Sequence, residues 1–264
     1  MKDDEGARQP SNLRGRLAEV FFPALLEDAA DPLSKRLGDR ALLSHPLFPP
    51  ATGTAAIEKT LRALAESLSE HGGSLKRGHV LVGVDRDVAE STISLRVNGR
   101  PMDLPVAVVA ERHRAREITV RVYHAARPFG RPQAARPVRP PSDREHVVAN
   151  DVAEHLGAVR LGDVDAVERT FESNGVVLDG EGQAHDKASG ALKKLYVRLL
   201  QNEHGANDWV PIVLGVADDG RSCAIEYETA KLRDGETAPK EGLMVFERGD
   251  SGLIRTVRIY DESV

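Results

Sequence analysis

The chain has 264 residues and a mass of 28.7 kDa, with 41% hydrophobic, 4% aromatic and 29% charged residues. This composition is typical of a globular protein and excludes collagen-like, low-complexity and disulfide-scaffold chains, while the length predicts two domains of ordinary size. The 36 Lys and Arg residues against 41 Asp and Glu residues give a net charge of −5, which disfavours nucleic acid as a partner because phosphate contacts need a basic face.

The first half of the chain predicts helices followed by strands. After a polar N-terminus at 1–12, which we expect to be disordered, apolar residues at i, i+3 and i+4 spacing predict helices at 13–29 and 56–71. Between them lie a break at DPLS (31–34) and a strand-like segment, ALLSHPLFPP (41–50). Alternation and β-branched residues then predict four strands, at 79–84, 88–97, 105–112 and 117–125, the second and third joined by an NGRP turn.

Residues 126–145, ARPFGRPQAARPVRPPSDRE, carry five of the 15 prolines together with several arginines. Such a segment is typical of an extended, semi-rigid linker, although its basic character is also compatible with a docking motif. We therefore predict a first lobe at 13–125, the linker at 126–145 and a second lobe at 146–264.

The second lobe repeats the order of the first. Helical patterns occupy 146–163, 163–173 and 189–203, a strand lies at 175–182, and strands follow at 209–216, 222–232, 242–249 and 253–262. TVRIYD corresponds to TVRVYH, with Tyr260 placed 137 residues after Tyr123. VFER (245–248) corresponds to VAER (109–112), and GVADDG (215–220) corresponds to GVDRDV (83–88) at an offset of 132. Helices followed by a meandering antiparallel sheet predict an α+β fold, and its duplication predicts a covalent pseudo-dimer.

The closing pattern of the second lobe, CAIEYETAKL followed by GLMVFERGDSGLIRTVRIYDE, resembles the SnoaL-like branch of the nuclear-transport-factor-2-like superfamily. LLSHPLFPPATG, LPVAVVAERH and VRVYHAARP in the first lobe resemble the first lobe of tandem-lobed bacterial proteins of this kind. The resemblance implies two cone-shaped α+β barrels, each a curved sheet packed on helices. Members of the superfamily include ketosteroid isomerases, polyketide cyclases, epoxide-opening enzymes and non-catalytic binding proteins, so the fold alone does not select an activity.

The resemblance also implies a candidate general base. Asp179, in the strand GVVLDGEG, stands where isomerase-like members carry their base, while an Asp before Gly is equally typical of a turn. Six residues on, His185 could line the same pocket and act as an acid or base, or simply belong to a surface loop. Asp179 and His185 are therefore the first two candidate catalytic residues.

The resemblance also implies a position for a second, oxyanion-holding acid, but this chain has Met244 there, which cannot donate a hydrogen bond. On the strand SCAIEYETAKL, Glu226 and Tyr227 point to opposite faces because side chains alternate along a strand. Glu226 is thus either a second catalytic carboxylate facing Asp179 or part of a solvated outer face, and in the second case Tyr227 becomes the pocket donor.

Further candidates for ligand contact lie in both lobes. Those of the second lobe are Tyr196, Trp209, Met244, Arg258 and Tyr260, although aromatic residues at such positions more often belong to the core. In the first lobe His45 stands in the position of Asp179, in a proline-rich turn, and Asp103 and Arg121 are weaker candidates. The first lobe therefore looks like the degenerate copy.

Other chemistries lack a motif. The sequence has no GxGxxG after a strand, no GxxxxGK[ST], HExxH, GxSxG or CxxC, and its nine histidines lack metal-ligand spacing, so no cofactor and no metal are predicted. A single cysteine, no long apolar run and an N-terminus unlike a signal peptide predict a cytoplasmic protein without a membrane partner.

Three functions remain open. The first is a cofactor-independent isomerase, cyclase or epoxide-opening enzyme that acts on a small apolar or polyketide-like molecule with Asp179 as base. The second is a non-catalytic ligand-binding protein of the same fold. The third is a purely structural pseudo-dimer that mediates assembly. For each of these functions, the chain is expected to be either a monomer that is itself a pseudo-dimer or a homodimer.

Overall fold

A computed structural model describes residues 15–113, 117–126, 129, 134, 147–200, 210–230 and 240–260. The predicted disordered segment at 1–12, most of the predicted linker at 126–145 and Trp209 lie outside these residues. No helix of the described ranges is long and apolar enough to cross a membrane.

Each half of the chain forms helices and a six-stranded sheet. The first lobe contains α1 (Leu17–Leu26), α2 (Ala30–Leu37), β1 (Leu42–His45), β2 (Phe48–Thr52), α3 (Thr54–Glu70), β3 (Ser74–Val82), β4 (Arg86–Val97), β5 (Arg100–Arg112) and β6 (Ile118–Tyr123). The second contains α4 (Asn150–Leu161), α5 (Val164–Arg169), β7 (Phe171–Leu178), β8 (Ala184–Asp186), α6 (Ala191–Leu200), β9 (Val210–Asp218), β10 (Ser222–Ala230), β11 (Lys240–Arg248) and β12 (Ile254–Ile259).

The two sheets have the same topology. Their strand orders are β2-β1-β6-β5-β4-β3 and β8-β7-β12-β11-β10-β9. Most neighbouring strands are antiparallel, but β1 pairs with β6 and β7 with β12 in parallel, so the sheets are mixed rather than purely antiparallel meanders. The predicted α+β class with two tandem lobes is confirmed.

Three local predictions change. The DPLS segment lies in α2 rather than in a break, since Pro32 falls in the first turn of the helix, where backbone N–H groups need no intrahelical acceptor. The helix predicted to 173 ends at Arg169, and Phe171 begins β7, where it pairs with Ile254. The strand at 41–50 is a hairpin of β1 and β2, in which His45 pairs with Phe48.

The central strands of each sheet are buried on both faces. On β10, Cys223, Ile225 and Tyr227 pack into the core of their own lobe. Ala224, on the opposite face, belongs to a third apolar cluster that also contains Val88 of the first lobe. The two sheets therefore pack face to face, and the alternation of a strand distributes its side chains between a lobe core and the interface between lobes.

The strand pairings define the residue offset of the internal repeat. Arg86 pairs with Glu111 on β4–β5, and Ser222 pairs with Glu247 on β10–β11, an offset of 136 on both strands. The same offset relates the turn hydrogen bond from Gly83 N–H to Arg86 O to that from Asp219 N–H to Ser222 O. Gly83 thus corresponds to Asp219, and the offset of 132 expected from Gly215 is wrong.

Candidate functional site: the interface and cleft between the lobes

Two clusters of charged side chains join the lobes at the interface. The first is the Glu226 cluster, made of Glu226 with Arg86, Glu111, Arg121 and Tyr123 of the first lobe. Arg121 Nε and Nη2 donate to the Glu226 carboxylate at 2.5 and 2.8 Å, and Tyr123 Oη donates at 2.7 Å. Arg86 Nη1 donates to the same carboxylate at 2.9 Å, while Arg86 and Arg121 both also bind Glu111.

The second, the Glu90 cluster, is the related arrangement at the other end of the interface. It consists of Glu90 of the first lobe with Glu247, Arg258 and Tyr260 of the second. Arg258 donates to both carboxylate oxygens of Glu90, at 2.7 and 3.1 Å, and Tyr260 Oη donates at 2.6 Å. Arg258 Nη1 also donates to Glu247 at 2.9 Å. Each lobe thus supplies a buried glutamate that an arginine and a tyrosine of the other lobe bind.

The clusters shift the acid–base equilibria of their members. Burial opposes a charged guanidinium, but the neighbouring Glu226 outweighs it and raises the pKa of Arg121, as Glu90 does for Arg258. Burial would raise the pKa of Glu111, yet Arg121 and Arg86 together lower it. Burial and the adjacent Glu90 raise the pKa of the Tyr260 phenol well above its ordinary value. Arg121, Arg258 and Glu111 therefore stay charged, and the Tyr260 phenol stays protonated, at neutral pH.

Glu226 therefore has neither of the roles expected from the sequence. It is 1% exposed, so it does not lie on a solvated outer face, and its carboxylate binds first-lobe side chains instead of facing Asp179 across a pocket. Arg258 and Tyr260 are likewise committed to Glu90, although both also line the cleft described next.

A cleft of about 540 Å³ opens beside the Glu90 cluster, between the two lobes. Its first-lobe wall is formed by Gly78, His79, Glu90, Ser91, Thr92, Asp103 and Pro105. Its second-lobe wall is formed by Leu178, Asp179, Glu181, Gly182, Arg221, Ser222, Glu247, Arg258, Ile259 and Tyr260. The cleft thus contains Asp179, Arg258 and Tyr260, three of the residues singled out in the sequence.

Asp179 closes the turn between β7 and β8 and is paired with His185. Its Oδ1 accepts the backbone N–H groups of Glu181 and Gln183 at 3.1 and 2.8 Å, and its Oδ2 lies 2.9 Å from His185 Nε2. Both residues are buried, at 8% exposure. These three hydrogen bonds hold the carboxylate in one orientation at the turn.

The other second-lobe candidates lie in the core. Met244 and Tyr227 pack among its buried apolar residues, at 2% and 0% exposure. Tyr196 Oη lies 3.1 Å from Nε2 of the fully buried His155, whose Nδ1 is 3.0 Å from Thr170 Oγ1. The burial of all three candidates indicates packing rather than contact with a ligand, as expected for aromatic residues at such positions.

The first lobe places His45 at the end of β1, where it corresponds in register to Asp179. Its Nδ1 accepts the N–H of Leu47 at 3.1 Å, and its ring contacts His124. Both rings border a largely apolar cavity of about 30 Å³, with room for one or two water molecules. His45 is thus a turn residue at the mouth of a small cavity, and it does not approach the cleft.

Sequence reasoning missed Arg86, Glu90, Glu111, Ser222 and Glu247. The signal that could have found them was the repeat itself, because Glu90 and Glu226 occupy equivalent positions, as do Tyr123 and Tyr260. Of the weaker candidates, Asp103 is exposed on the cleft wall and accepts a hydrogen bond from Ser94, whereas Arg121 lies in the interface. Within the described ranges, no three His, Cys, Asp or Glu side chains converge as metal ligands.

Comparison with known proteins gives similarity at the level of solved structures. No protein-family model matches the chain, and no curated protein does. A protein of Sinorhizobium meliloti with a suspected polyketide cyclase activity matches at 22% identity and a TM-score of 0.35, over 42% of this chain and 94% of its own. An NTF2-like protein of unknown function from Cytophaga hutchinsonii matches at 10% identity and a TM-score of 0.34, over 45% of this chain and 93% of its own. SalBIII, an epoxide hydrolase/cyclase-like enzyme of pyran-ring formation in salinomycin, matches at 20% identity and a TM-score of 0.34, over 42% of this chain and 86% of its own.

Each of these matches covers less than half of this chain but most of the other protein's length. At these identities and TM-scores, the similarity carries no information on the reaction or the ligand.

Proposed function

We propose that this protein binds a small molecule in the cleft between its two lobes. The observation that carries the proposal is the cleft itself, whose volume of about 540 Å³ falls in the range of roughly 300–1,000 Å³ of small-molecule sites. Both lobes build its walls, and the two ion clusters hold those walls together with short, buried hydrogen bonds. A site on such an interface is preformed, so little binding energy is lost to reorganisation.

The walls favour a polar ligand over the apolar metabolite expected from the fold. Carboxylates of Glu90, Asp103, Glu181 and Glu247 border the cleft, while Pro105 and other apolar groups occupy only part of the wall. A ligand that carries hydroxyl or cationic groups can satisfy these acceptors, whereas a purely apolar ligand would desolvate them without compensation.

A thermal-shift screen of polar metabolites, followed by titration calorimetry of the hits, tests this proposal. Thr92→Phe should abolish binding because the ring occupies the cleft, whereas Thr60→Phe on α3, outside the cleft wall, should leave binding unchanged. Hits that bind both variants with equal affinity would contradict a ligand site in the cleft.

A second candidate function is catalysis in the same cleft with Asp179 as general base. It is supported by the place of Asp179 on the wall and by its contact with His185, which could relay a proton. The reaction would be an isomerisation, ring closure or epoxide opening without a cofactor. Asp179→Asn keeps an acceptor for the two turn amides, so this variant should stay folded and bind ligand while turnover is lost; unchanged turnover would eliminate Asp179 as the base.

A further inference from the structure

The two interface clusters occupy equivalent positions but differ by one cation. Arg121 on β6 and Arg258 on β12, the third strand of each sheet, pair with Val109 and Val245 in the same register. The position of Arg86 on β4, however, is Ser222 on β10. Two arginines balance two glutamates in the Glu226 cluster, whereas Arg258 alone faces two glutamates in the Glu90 cluster, which leaves that cluster with a charge of −1.

Arg86 fills the space that corresponds to the cleft. Its guanidinium, 7% exposed, bridges Glu226 and Glu111 with donor–acceptor distances of 2.9 and 2.7 Å. Gly215 makes room for it, since a Cβ at that position would lie 1.4 Å from Arg86 Nη1. The Glu226 cluster is therefore an example, within this chain, of a guanidinium held between two glutamates.

At the other end of the interface Ser222 is too short to reach these positions, and the cleft opens there. The Glu90 side chain is 4% exposed and that of Glu247 is 22% exposed, so both carboxylates are held in a largely desolvated wall. Arg221 stands nearest as a substitute, but its side chain is 73% exposed and its Nη2 remains 3.9 Å from Glu247. It forms the rim of the cleft and does not take the bridging place of Arg86.

We propose that the cleft binds a ligand bearing a guanidinium group, which bridges Glu90 and Glu247 as Arg86 bridges Glu226 and Glu111. This inference rests on the proposed function and names its ligand class. Glu226 accepts hydrogen bonds from an arginine, a tyrosine and Arg86 at once, so Glu90, with the same arginine and tyrosine contacts, has capacity for the corresponding third donor. Asp103 and Glu181, on the same wall, add negative potential that attracts a cation.

Titration calorimetry tests the inference on the full chain with agmatine and with carbamoylputrescine, which keeps the ammonium group of agmatine but has a neutral urea in place of the guanidinium. Agmatine should bind with a stoichiometry of one and at least tenfold more tightly than carbamoylputrescine, because charged donors bind carboxylates more strongly than neutral ones. The double variant Ser222→Arg, His79→Gly rebuilds the filled arrangement, with glycine in the position that Gly215 has on the other side. It should lose agmatine binding and unfold at a higher temperature than wild type.

The reverse variant, Arg86→Ser, should create a second cleft and raise the agmatine stoichiometry from one to two; if it unfolds, the Ser222→Arg double variant still decides the matter. Equal binding of agmatine and carbamoylputrescine, or no binding of agmatine, would overturn the inference. If agmatine does not bind but other hits of the metabolite screen bind wild type and fail to bind Thr92→Phe, the proposed function of the cleft still holds. If Thr92→Phe affects no ligand, the proposed function itself fails.

Discussion

Acidification from pH 7 to pH 5 should destabilise the protein through one group, His155. Its surroundings require the neutral ring: Thr170 Oγ1 donates to the Val167 carbonyl at 2.7 Å, so it accepts from His155 Nδ1–H, and Nε2 is left to accept from Tyr196 Oη. A proton on Nε2 would point at the Tyr196 oxygen, and Nε2 could then no longer accept the hydrogen bond from Tyr196. Burial alone lowers the pKa of His155 from 6.5 to about 3.

The sign and size of the effect follow from proton linkage. Between pH 6.5 and pH 3 the unfolded chain binds a proton at His155 and the folded chain does not, so the stability due to the neutral ring is present above pH 6.5 and is lost as the pH falls. With these two pKa values, the free energy of unfolding should decrease by about 2 kcal/mol between pH 7 and pH 5.

Urea denaturation at half-unit steps from pH 7 to pH 5 measures this decrease in wild type and in His155→Gln, which keeps an acceptor for Tyr196 but does not titrate. The variant should be less stable at pH 7 and should lose about 2 kcal/mol less on acidification. His113→Gln, at an exposed histidine, serves as the control and should follow wild type. Parallel pH curves for wild type and His155→Gln would refute the assignment of acid sensitivity to this ring.

Three further outcomes concern the interface and a turn. Glu226→Gln removes one of the two carboxylates that Arg86 and Arg121 share, and urea denaturation should show a loss of about 3–5 kcal/mol, as for other broken buried ion pairs. A loss below about 1 kcal/mol would mean that the cluster does not hold the lobes together. Gly215→Ala should destabilise the protein by about 1–3 kcal/mol through contact with Arg86, and most of that cost should disappear in an Arg86→Ser background, so additivity in the double-mutant cycle would contradict the close approach. Asn98→Val should lower the melting temperature, because Asn98 has a φ of 51° that a β-branched residue adopts poorly, and an unchanged melting temperature would contradict the turn conformation.

The residues by themselves predicted the features that depend on short stretches of chain. The alternation over 88–97 and 105–112, with Asn98 and Gly99 between them, predicted the β4–β5 hairpin, and both residues take the positive φ that such a turn requires. The repeated endings TVRVYH and TVRIYD predicted two lobes of the same topology, which the matching strand orders confirm. These features depend on local conformational preference and periodicity, which are written along a single segment.

The place of Asp179 was only half determined in this way. An Asp before Gly predicted a turn, and its two backbone hydrogen bonds are those of a turn, but its position on the wall of a cleft between lobes depends on first-lobe residues such as Asp103. A strand pattern shows that two faces alternate and does not show what covers each face.

The role of Glu226 was decided by tertiary structure alone. Its partners Arg121 and Tyr123 lie 105 and 103 residues away in the chain, and no local pattern distinguishes a glutamate on a solvated face from one that an opposing lobe neutralises. The sequence determined that Glu226 points away from Tyr227 and that a second copy of its strand exists. Only the packing of one sheet on the other placed two arginines against Glu226. The same packing left Ser222 beside an open cleft at the position equivalent to Arg86. The physical reason is that the burial of a charge depends on partners that the folded chain brings together in space.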